Sequence, residues 1–208
     1  MSAAVLDPVA ALNVSRETTE KLHRFVALLE KWNPAINLVS RSTLSDAWTR
    51  HILDSAQLYA LAPVTAQRWL DLGSGGGFPG IVNAILAAEL RPTSTHTLVE
   101  VDQRKSTFLR QAIQDLGLNA TVLTSRIEQL PPQGAEVITA RALAPLPLLC
   151  SLAHPHLAPN GACLFQKGAR YAAEIAEART SWRLDYDLHP SLTDPEAVIL
   201  KLKALDHV

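Results

Sequence analysis

The N-terminal third of the chain carries apolar residues at helical spacing. From about Ser15 onwards, apolar positions recur every three or four residues, which places them on one face of a helix. Ser15 is a suitable cap for this helix, and Pro34 is expected to end it. A second segment, 45–61, shows a similar apolar face before Pro63. The pattern therefore predicts an N-terminal helical cap over residues 1–66.

Beyond residue 66, short apolar runs alternate with helical segments. Five runs are typical of buried strands: RWLDLG at 68–73, HTLVEVD at 96–102, ATVLTS at 120–125, EVITA at 136–140 and GACLFQKG at 161–168. Helices are predicted at 79–89, 104–116, 145–156 and 170–180. Two last runs, at 182–188 and 197–205, are separated by the turn-rich PSLTDPE and predict an antiparallel hairpin.

Strands that alternate with helices connect by right-handed crossovers into a mostly parallel sheet that is covered on both faces. The predicted fold class is therefore α/β, with a mostly parallel seven-stranded sheet over residues 67–208 that forms one compact unit with the cap. In such sheets, ligands bind at the carboxyl ends of the strands.

Composition and charge exclude several classes of function. The formal net charge of −1 argues against non-specific coating of nucleic acid, so any RNA binding must come from a local patch. No apolar run is long enough for a membrane span, and the N-terminus lacks a signal-peptide pattern, so a cytoplasmic monomer is expected. Cys150 and Cys163 lie among apolar neighbours, and we expect buried thiols without a metal or redox role.

The segment DLGSGGGFPG at 71–80 contains the strongest chemical signal. It joins a strand end, a loop with four glycines and a helix start, as in nucleotide-binding sites. Gly73 and Gly75 permit positive φ and let a ligand approach the backbone closely. Phe78 stands where the dinucleotide fingerprint requires glycine, so the pattern favours S-adenosylmethionine over a nicotinamide.

A nucleoside also needs an acceptor for its ribose hydroxyls at the end of the second strand. Glu100 stands at that position, and Asp102 is the competing candidate.

Six segments together resemble the glucose-inhibited division protein B family, bacterial 16S ribosomal RNA guanine-N7 methyltransferases also called RsmG. The segments are WNPAINLVS at 32–40, RHILDS at 50–55, LDLGSGGGFPGI at 70–81, LVEVDQRKSTFL at 98–109, SRIEQL at 125–130 and ARALAPL at 140–146. The resemblance covers most of the chain. Asn83 departs from it where a branched aliphatic residue is expected, and Ile127 departs where a small residue is usual.

The resemblance implies a class I methyltransferase (Rossmann-like) fold, S-adenosylmethionine as cofactor and 16S rRNA or the small ribosomal subunit as partner. By resemblance, the target is N7 of the guanine at rRNA position 527, in the 530 loop. Carried over position by position, the family's cofactor contacts fall on Gly73, Phe78, Ile127, Glu128 and Arg141. With the loop residues Asp71, Gly75 and Gly77 and with Glu100, they form the predicted cofactor site.

Guanine N7 has an exposed lone pair and needs no deprotonation, so the sequence need not supply a general base and we assign none. Arg141 is a candidate for binding an RNA phosphate, the guanine O6 or the cofactor carboxylate, and the sequence does not choose among these acceptors.

A basic rim is predicted around the pocket, although a solvated surface position is nearly as good an interpretation of each residue alone. The candidate RNA-binding residues are Arg50, His51, Arg104, Lys105, Arg126, Lys167 and Arg170. For His51, packing of the cap onto the sheet is the preferred interpretation, ahead of RNA contact. His51, Asp54 and Ser55 share one helix face, which excludes a hydrolase triad because a triad converges from different elements.

Two other functions remain open at this point. A small-molecule methyltransferase would share the cofactor site but would need the cap to close over a compact apolar pocket, which 5% aromatic residues barely line. A non-catalytic RNA- or ribosome-binding module would keep the fold without the activity.

Overall fold

The computed structural model describes residues 8–11 and 13–208. The N-terminal part is helical, with α1 (Pro8–Ala11), α2 (Arg16–Ile36), α3 (Arg41–Leu44), a π-helical segment (Trp48–Leu53) and α4 (Asp54–Leu61). Among the residues that the structure describes, no helix combines the length and the apolar character that a membrane crossing requires.

The remainder alternates strands and helices. In chain order it contains β1 (Arg68–Leu72), α5 (Gly80–Leu90), β2 (Thr95–Glu100), α6 (Gln103–Leu116), β3 (Ala120–Thr124), β4 (Ala135–Arg141), α7 (Leu146–Ala153), β5 (Leu157–Lys167), α8 (Tyr171–Ala178), β6 (Trp182–Pro190) and β7 (Val198–His207). Short 3-10 helices cover Ile127–Gln129 and His154–His156.

The seven strands form one sheet in the order β3-β2-β1-β4-β5-β7-β6. The first five strands pair in parallel, whereas β7 is antiparallel to both β5 and β6. The predicted mostly parallel seven-stranded α/β fold is therefore confirmed, together with the terminal hairpin. The strand order reverses between β1 and β4, which is the switch point where sheets of this kind bind ligands.

Local chemistry explains the two longest helices. Ser15 caps α2, because its Oγ accepts a hydrogen bond from the amide of Thr18 at 3.2 Å. Glu89 at the end of α5 accepts from the amide of Ser15 at 3.0 Å and thereby fastens the cap to the sheet domain. Asp102 caps α6 through the amides of the next turn, and Gly117 ends α6 with φ 62°.

The prediction that Pro34 ends the first helix is wrong, since α2 continues to Ile36. Proline removes only the bond to the carbonyl four residues earlier, which belongs to the exposed Glu30, so water can replace it. The helix ends instead at Asn37, which has φ 50° and donates its amide to Asn33 O at 2.9 Å.

The helix predicted over 45–61 is confirmed except at its start and in its type. Ser45 and Asp46 form a turn after α3, and Trp48–Leu53 is a π-helical segment that continues directly into α4 at Asp54. The wider π-helical turn shifts the register of the side chains that follow it, and such turns are common at functional sites.

The core has two layers, one on each face of the sheet. The first joins cap residues such as Leu22 and Phe25 to α5 and α6 residues such as Phe108. The second lies under α7 and α8 and includes Leu146 and Phe165. The cap therefore completes one face of the sheet, and its position fixes the geometry of the ligand-binding edge.

Candidate active site

The glycine loop leaves β1 at the switch point of the sheet. Gly73 (φ 67°), Gly75 (φ 53°) and Gly77 (φ 91°) all occupy the left-handed region. At Gly73 a side chain is excluded for a second reason, because a Cβ atom would lie 2.6 Å from Leu143 Cδ1. The loop is thus pressed against residue 143 and exposes bare backbone to the space beside it.

Two cavities lie at this edge of the sheet. The glycine-side cavity, about 520 Å³, is lined by the glycine loop, Glu100 and Ile127. The cap-side cavity, about 680 Å³, is lined by Asp54, Gln166 and Thr193. Residues 141–144 line both cavities and form the wall between them, with Leu38 at its side. Both volumes fall in the range typical of small-molecule sites.

Glu100 closes the glycine-side cavity from the end of β2. Its Oε2 accepts a hydrogen bond from Gly75 N at 2.8 Å, and its Oε1 accepts from Asp102 N at 2.8 Å. Each oxygen retains acceptor capacity for a ligand hydroxyl. Asp102, the alternative ribose acceptor predicted from the sequence, caps α6 and does not line this cavity.

The other predicted cofactor residues divide into two groups. Gly73, Gly75, Phe78, Ile127, Glu128 and Arg141 line the glycine-side cavity together with Glu100. Asp71 and Gly77 do not line it, so the structure does not bring these two predicted residues to the cavity surface. A Cβ at Gly77 would meet Ile81 and Phe25, so this glycine lets the loop pack against the cap.

Asp71 supports the loop from below. It is fully buried, and its Oδ1 accepts a hydrogen bond from Thr139 Oγ1 at 2.6 Å. Burial raises the pKa of Asp71 to about 6, although the bond from Thr139 opposes the rise. Asn83 faces the same small void, and neither its Oδ1 nor its Nδ2 has a hydrogen-bond partner among the described residues.

Arg141, at the end of β4, is held on the side of the cap. Its Nη1 donates to Arg50 O at 3.2 Å and to Asp54 Oδ2 at 3.3 Å. Its guanidinium carbon lies 5.1 Å from the centre of the Phe78 ring. Burial lowers the pKa of Arg141 and the carboxylate of Asp54 opposes this shift, so the pair is a partly buried, charge-balanced unit.

Asp54 is the centre of the densest polar cluster at the site. Besides Arg141, Oδ2 accepts from Gln166 Nε2 at 2.6 Å, and Oδ1 accepts from Gln57 Nε2 at 2.9 Å and Thr193 Oγ1 at 2.8 Å. Four donors from α4, β4, β5 and the β6–β7 connection therefore converge on one carboxylate. Sequence reasoning missed this role, although Asp54 lies in the RHILDS segment at 50–55.

His51 packs the cap onto the loop. Its ring stacks on Phe78 with centroids 4.8 Å apart, and its Nε2 is 3.0 Å from Thr43 Oγ1. Burial, together with the positive charges of Arg141 and Arg50, lowers the pKa of His51 to about 4. The ring is therefore neutral near pH 7, and its position agrees with the packing interpretation.

The predicted basic rim is only partly exposed to solvent. Arg50, Arg104, Arg126 and Arg170 are exposed, and Lys105 and Arg126 line the glycine-side cavity. Lys167 is different because it is buried, forms an ion pair with Glu174 at 2.5 Å and donates to Ala144 O at 3.1 Å. Its ammonium group supports the wall between the cavities, and its side chain borders the cap-side cavity instead of the exposed rim.

Both cysteines are free and buried. Burial raises the pKa of the Cys150 thiol to about 12 and raises that of Cys163 as well, so both are protonated at neutral pH. Within residues 8–11 and 13–208, no group of three or more His, Cys, Asp or Glu side chains is arranged to hold a metal ion.

The fold is shared with solved methyltransferases. A SAM dependent methyltransferase from Aquifex aeolicus superposes with a TM-score of 0.60 at 12% identity, covering 76% of this chain and 93% of that chain. A methyltransferase from Geobacter sulfurreducens also gives a TM-score of 0.60, at 16% identity, and covers 87% of this chain and 90% of that chain. At these identities the likeness shows the fold.

Sequence comparison is more specific. A protein of Cereibacter sphaeroides called Ribosomal RNA small subunit methyltransferase G is 64% identical over 200 residues, which cover 96% of this chain and 97% of that protein. A protein of the same name from Ruegeria sp. is 51% identical over 197 residues, 95% of this chain and 96% of its own length. The model of the GidB family, described as rRNA small subunit methyltransferase G, matches residues 18–197. The chain therefore belongs to the rRNA small subunit methyltransferase G family.

Proposed function

We propose that this protein transfers a methyl group from S-adenosylmethionine to N7 of a guanine in small-subunit ribosomal RNA. The observation that carries the proposal is the pair of adjacent cavities in a member of this family, with one wall, residues 141–144, common to both. Direct transfer between two molecules needs two binding sites that meet at the reacting atoms. The target we propose is the guanine of the 530 loop in 16S rRNA.

The glycine-side cavity fits the cofactor. The space that a Cβ of Gly73 would fill is closed by Leu143, while the backbone of the loop stays bare, and Glu100 offers acceptor capacity to a ribose. The 3-10 turn at Ile127 offers main-chain donors to the remaining polar groups. S-adenosylmethionine supplies an electrophilic sulfonium methyl group when bound.

The chemistry of the wall favours a nucleophile that needs no proton removal. Asp54 is saturated by four donors, and His51 is held in a stack on Phe78. Neither group is free to act as a general base toward a substrate. Guanine N7 attacks through a lone pair without losing a proton, so positioning is sufficient for this reaction.

The RNA would approach from the exposed rim. Arg50, Arg104, Lys105, Arg126 and Arg170 remain the proposed phosphate contacts. Since the whole chain has a net charge of −1, such contacts add affinity only where they cluster. We propose that the protein acts as a monomer in the cytoplasm, on the small subunit or one of its assembly intermediates.

The decisive experiment uses labelled S-adenosylmethionine with small subunits and 16S rRNA from cells that lack this enzyme. Label at N7 of one guanine is the expected result, and mapping the modified base tests the 530 loop directly. Label in a metabolite alone would favour a small-molecule methyltransferase. RNA binding without turnover on any assembly state would favour a non-catalytic module.

A charge-matched pair of variants tests the rim. Arg126→Gln removes a cation beside the glycine-side cavity, whereas Arg183→Gln removes an exposed cation on β6 at the far edge of the sheet. We expect the first variant to weaken binding to small subunits and to reduce the salt dependence of binding by about one phosphate contact, with the second unchanged. Equal behaviour of the two variants would remove Arg126 from the proposed interface.

A further inference from the structure

We propose that the cap-side cavity receives the target guanine, turned out of its RNA strand, and that Arg141 donates a hydrogen bond to the guanine O6 while Asp54 holds Arg141 in place. This inference rests on the proposed function and adds to it a binding site for the base and a role for two residues. Enzymes that carry out chemistry on a base commonly act on a single-stranded nucleotide or turn the base out of its stack into a pocket.

Arg141 is anchored toward the cap-side cavity. Although Arg141 borders both, the two groups that accept its hydrogen bonds, Arg50 O and Asp54 Oδ2, belong to residues that line the cap-side cavity and not the other. The guanidinium is therefore anchored on the substrate side of the wall. The ring of Phe78 packs against the guanidinium, with its centre 5.1 Å from the guanidinium carbon.

The guanidinium of Arg141 has unused hydrogen-bonding capacity. An arginine carries five N–H donors, and only Nη1 of Arg141 has partners among the described residues. Nε and Nη2 are therefore available in a partly buried position, where an acceptor from a ligand is favourable. Guanine O6 is such an acceptor. It lies beside N7 on the same edge of the base, and arginine is its usual protein partner.

The same donors discriminate against adenine. Adenine presents an amino group at the position of O6, so Arg141 would face a donor with its own donors. A single bond to O6 also leaves the N7 lone pair free, whereas a bidentate bond to O6 and N7 would occupy the atom that must react. Because Nη1 is fixed to Asp54, the fork of the two terminal nitrogens is no longer available for such a bidentate bond.

Asp54 is a positioning residue in this account. Its carboxylate fixes Arg141 from the cap, and it also ties Gln166 and Thr193, two further lining residues of the cap-side cavity, into the same cluster. An asparagine at this position would present an amide donor to some of the four donors that now point at it. The cavity wall would keep its volume but lose the defined direction of the guanidinium.

Protein-detected NMR with saturating S-adenosylhomocysteine tests the site. The probes are guanosine, inosine and 2-aminopurine riboside 5′-monophosphates, of which only the last lacks O6. We expect the first two to shift the Gln166 side-chain amide and the Thr193 amide, and the third to bind about tenfold more weakly. In Arg141→Gln and Asp54→Asn the difference between guanosine and 2-aminopurine should vanish, and in Arg183→Gln it should persist.

Equal binding of the three nucleotides, or shifts confined to the glycine loop, would overturn the inference. If the free nucleotides bind too weakly to be seen, turnover on small subunits decides instead. Asp54→Asn, assayed below its own Tm, should then lower kcat about tenfold or more while the affinity for S-adenosylhomocysteine stays near wild type, and an unchanged kcat would refute the positioning role. The proposed function is tested separately, because labelling of small subunits by the wild-type protein would stand even if the cap-side cavity bound no guanine.

Discussion

Three glycine-to-alanine substitutions, two in the loop and one at the end of α6, separate the effect of positive φ from the effects of neighbouring atoms and of the ligand. Gly73, Gly75 and Gly117 have φ values of 67°, 53° and 62°, so alanine is strained by a similar amount at each. Their surroundings differ: a Cβ at Gly73 would lie 2.6 Å from Leu143 Cδ1, one at Gly75 would have its nearest neighbour at 3.8 Å, and one at Gly117 would meet nothing within 4 Å.

The left-handed conformation costs alanine about 1–2 kcal/mol. For a chain of 208 residues, each kcal/mol lowers Tm by about 2–4 °C, so Gly117→Ala should lower Tm by about 2–8 °C. Gly73→Ala should lose a further ~0.5–1.5 kcal/mol, because the terminal methyl group of the partly exposed Leu143 side chain must turn out of its preferred position. Gly75→Ala should match Gly117→Ala in stability.

Cofactor affinity gives the second measurement. Gly75 lines the glycine-side cavity and Gly117 does not, so only the former should weaken S-adenosylhomocysteine binding, by about tenfold or more. Gly73→Ala should also weaken it, since both the loop and the wall shift. Calorimetric titration and thermal unfolding of the same preparations give both numbers.

Two results would refute this reasoning. If Gly73→Ala unfolds at the same temperature as Gly117→Ala, the contact with Leu143 does not restrict the loop. If Gly75→Ala binds the cofactor analogue as well as Gly117→Ala does, the backbone at this position is not in contact with the ligand.

Three other predictions concern charged groups. Lys167→Met should destabilise the protein by about 2–4 kcal/mol, because Glu174 loses a largely buried partner. Lys203→Met breaks only exposed pairs and should leave the urea midpoint close to that of the wild type; urea unfolding of both variants checks this. The folded protein binds the Asp71 proton more tightly than the unfolded chain (pKa about 6 against 3.8), so its stability relative to Asp71→Asn should fall by about 3 kcal/mol in all as the pH rises from below 3 to above 7, with about 2 kcal/mol of that fall between pH 4 and 6; parallel pH curves would contradict it. Glu100→Gln should weaken S-adenosylhomocysteine binding by about 10- to 100-fold, since two amides and a ribose compete for one remaining acceptor oxygen, and unchanged affinity in a calorimetric titration would rule that out.

The sheet and the glycine loop were predictable because their signals are local. A strand, a glycine run and a helix start follow one another within residues 68–90, and the apolar periods on both sides define the layers. Glu100 was found for the same reason, since it ends the next strand. The π-helical segment between α3 and α4 was not predictable. It is only about one turn long, and over one turn the sequence pattern does not distinguish it from an ordinary helix.

The long-range polar contacts were beyond the sequence. Asp54 meets Gln166 and Thr193 across 112 and 139 positions, and no spacing rule connects them. Lys167 illustrates the same point: a lysine at a strand end is usually solvated, but here Glu174 from the following helix neutralises it inside the wall. Residue type gave the chemistry of these groups, and only tertiary packing gave their partners.

The common wall at 141–144 has a thermodynamic consequence. A ligand in either cavity contacts the same short segment, in which Ala142 already has φ 51°. A ligand in one cavity therefore alters the conformation of this segment and, with it, the free energy of binding in the other cavity. Coupling of this kind is reciprocal: whatever factor the cofactor contributes to the affinity for RNA, RNA must return to the affinity for the cofactor. Methyl transfer changes the charge of both occupants at once, and the same linkage then governs the order in which the two products leave.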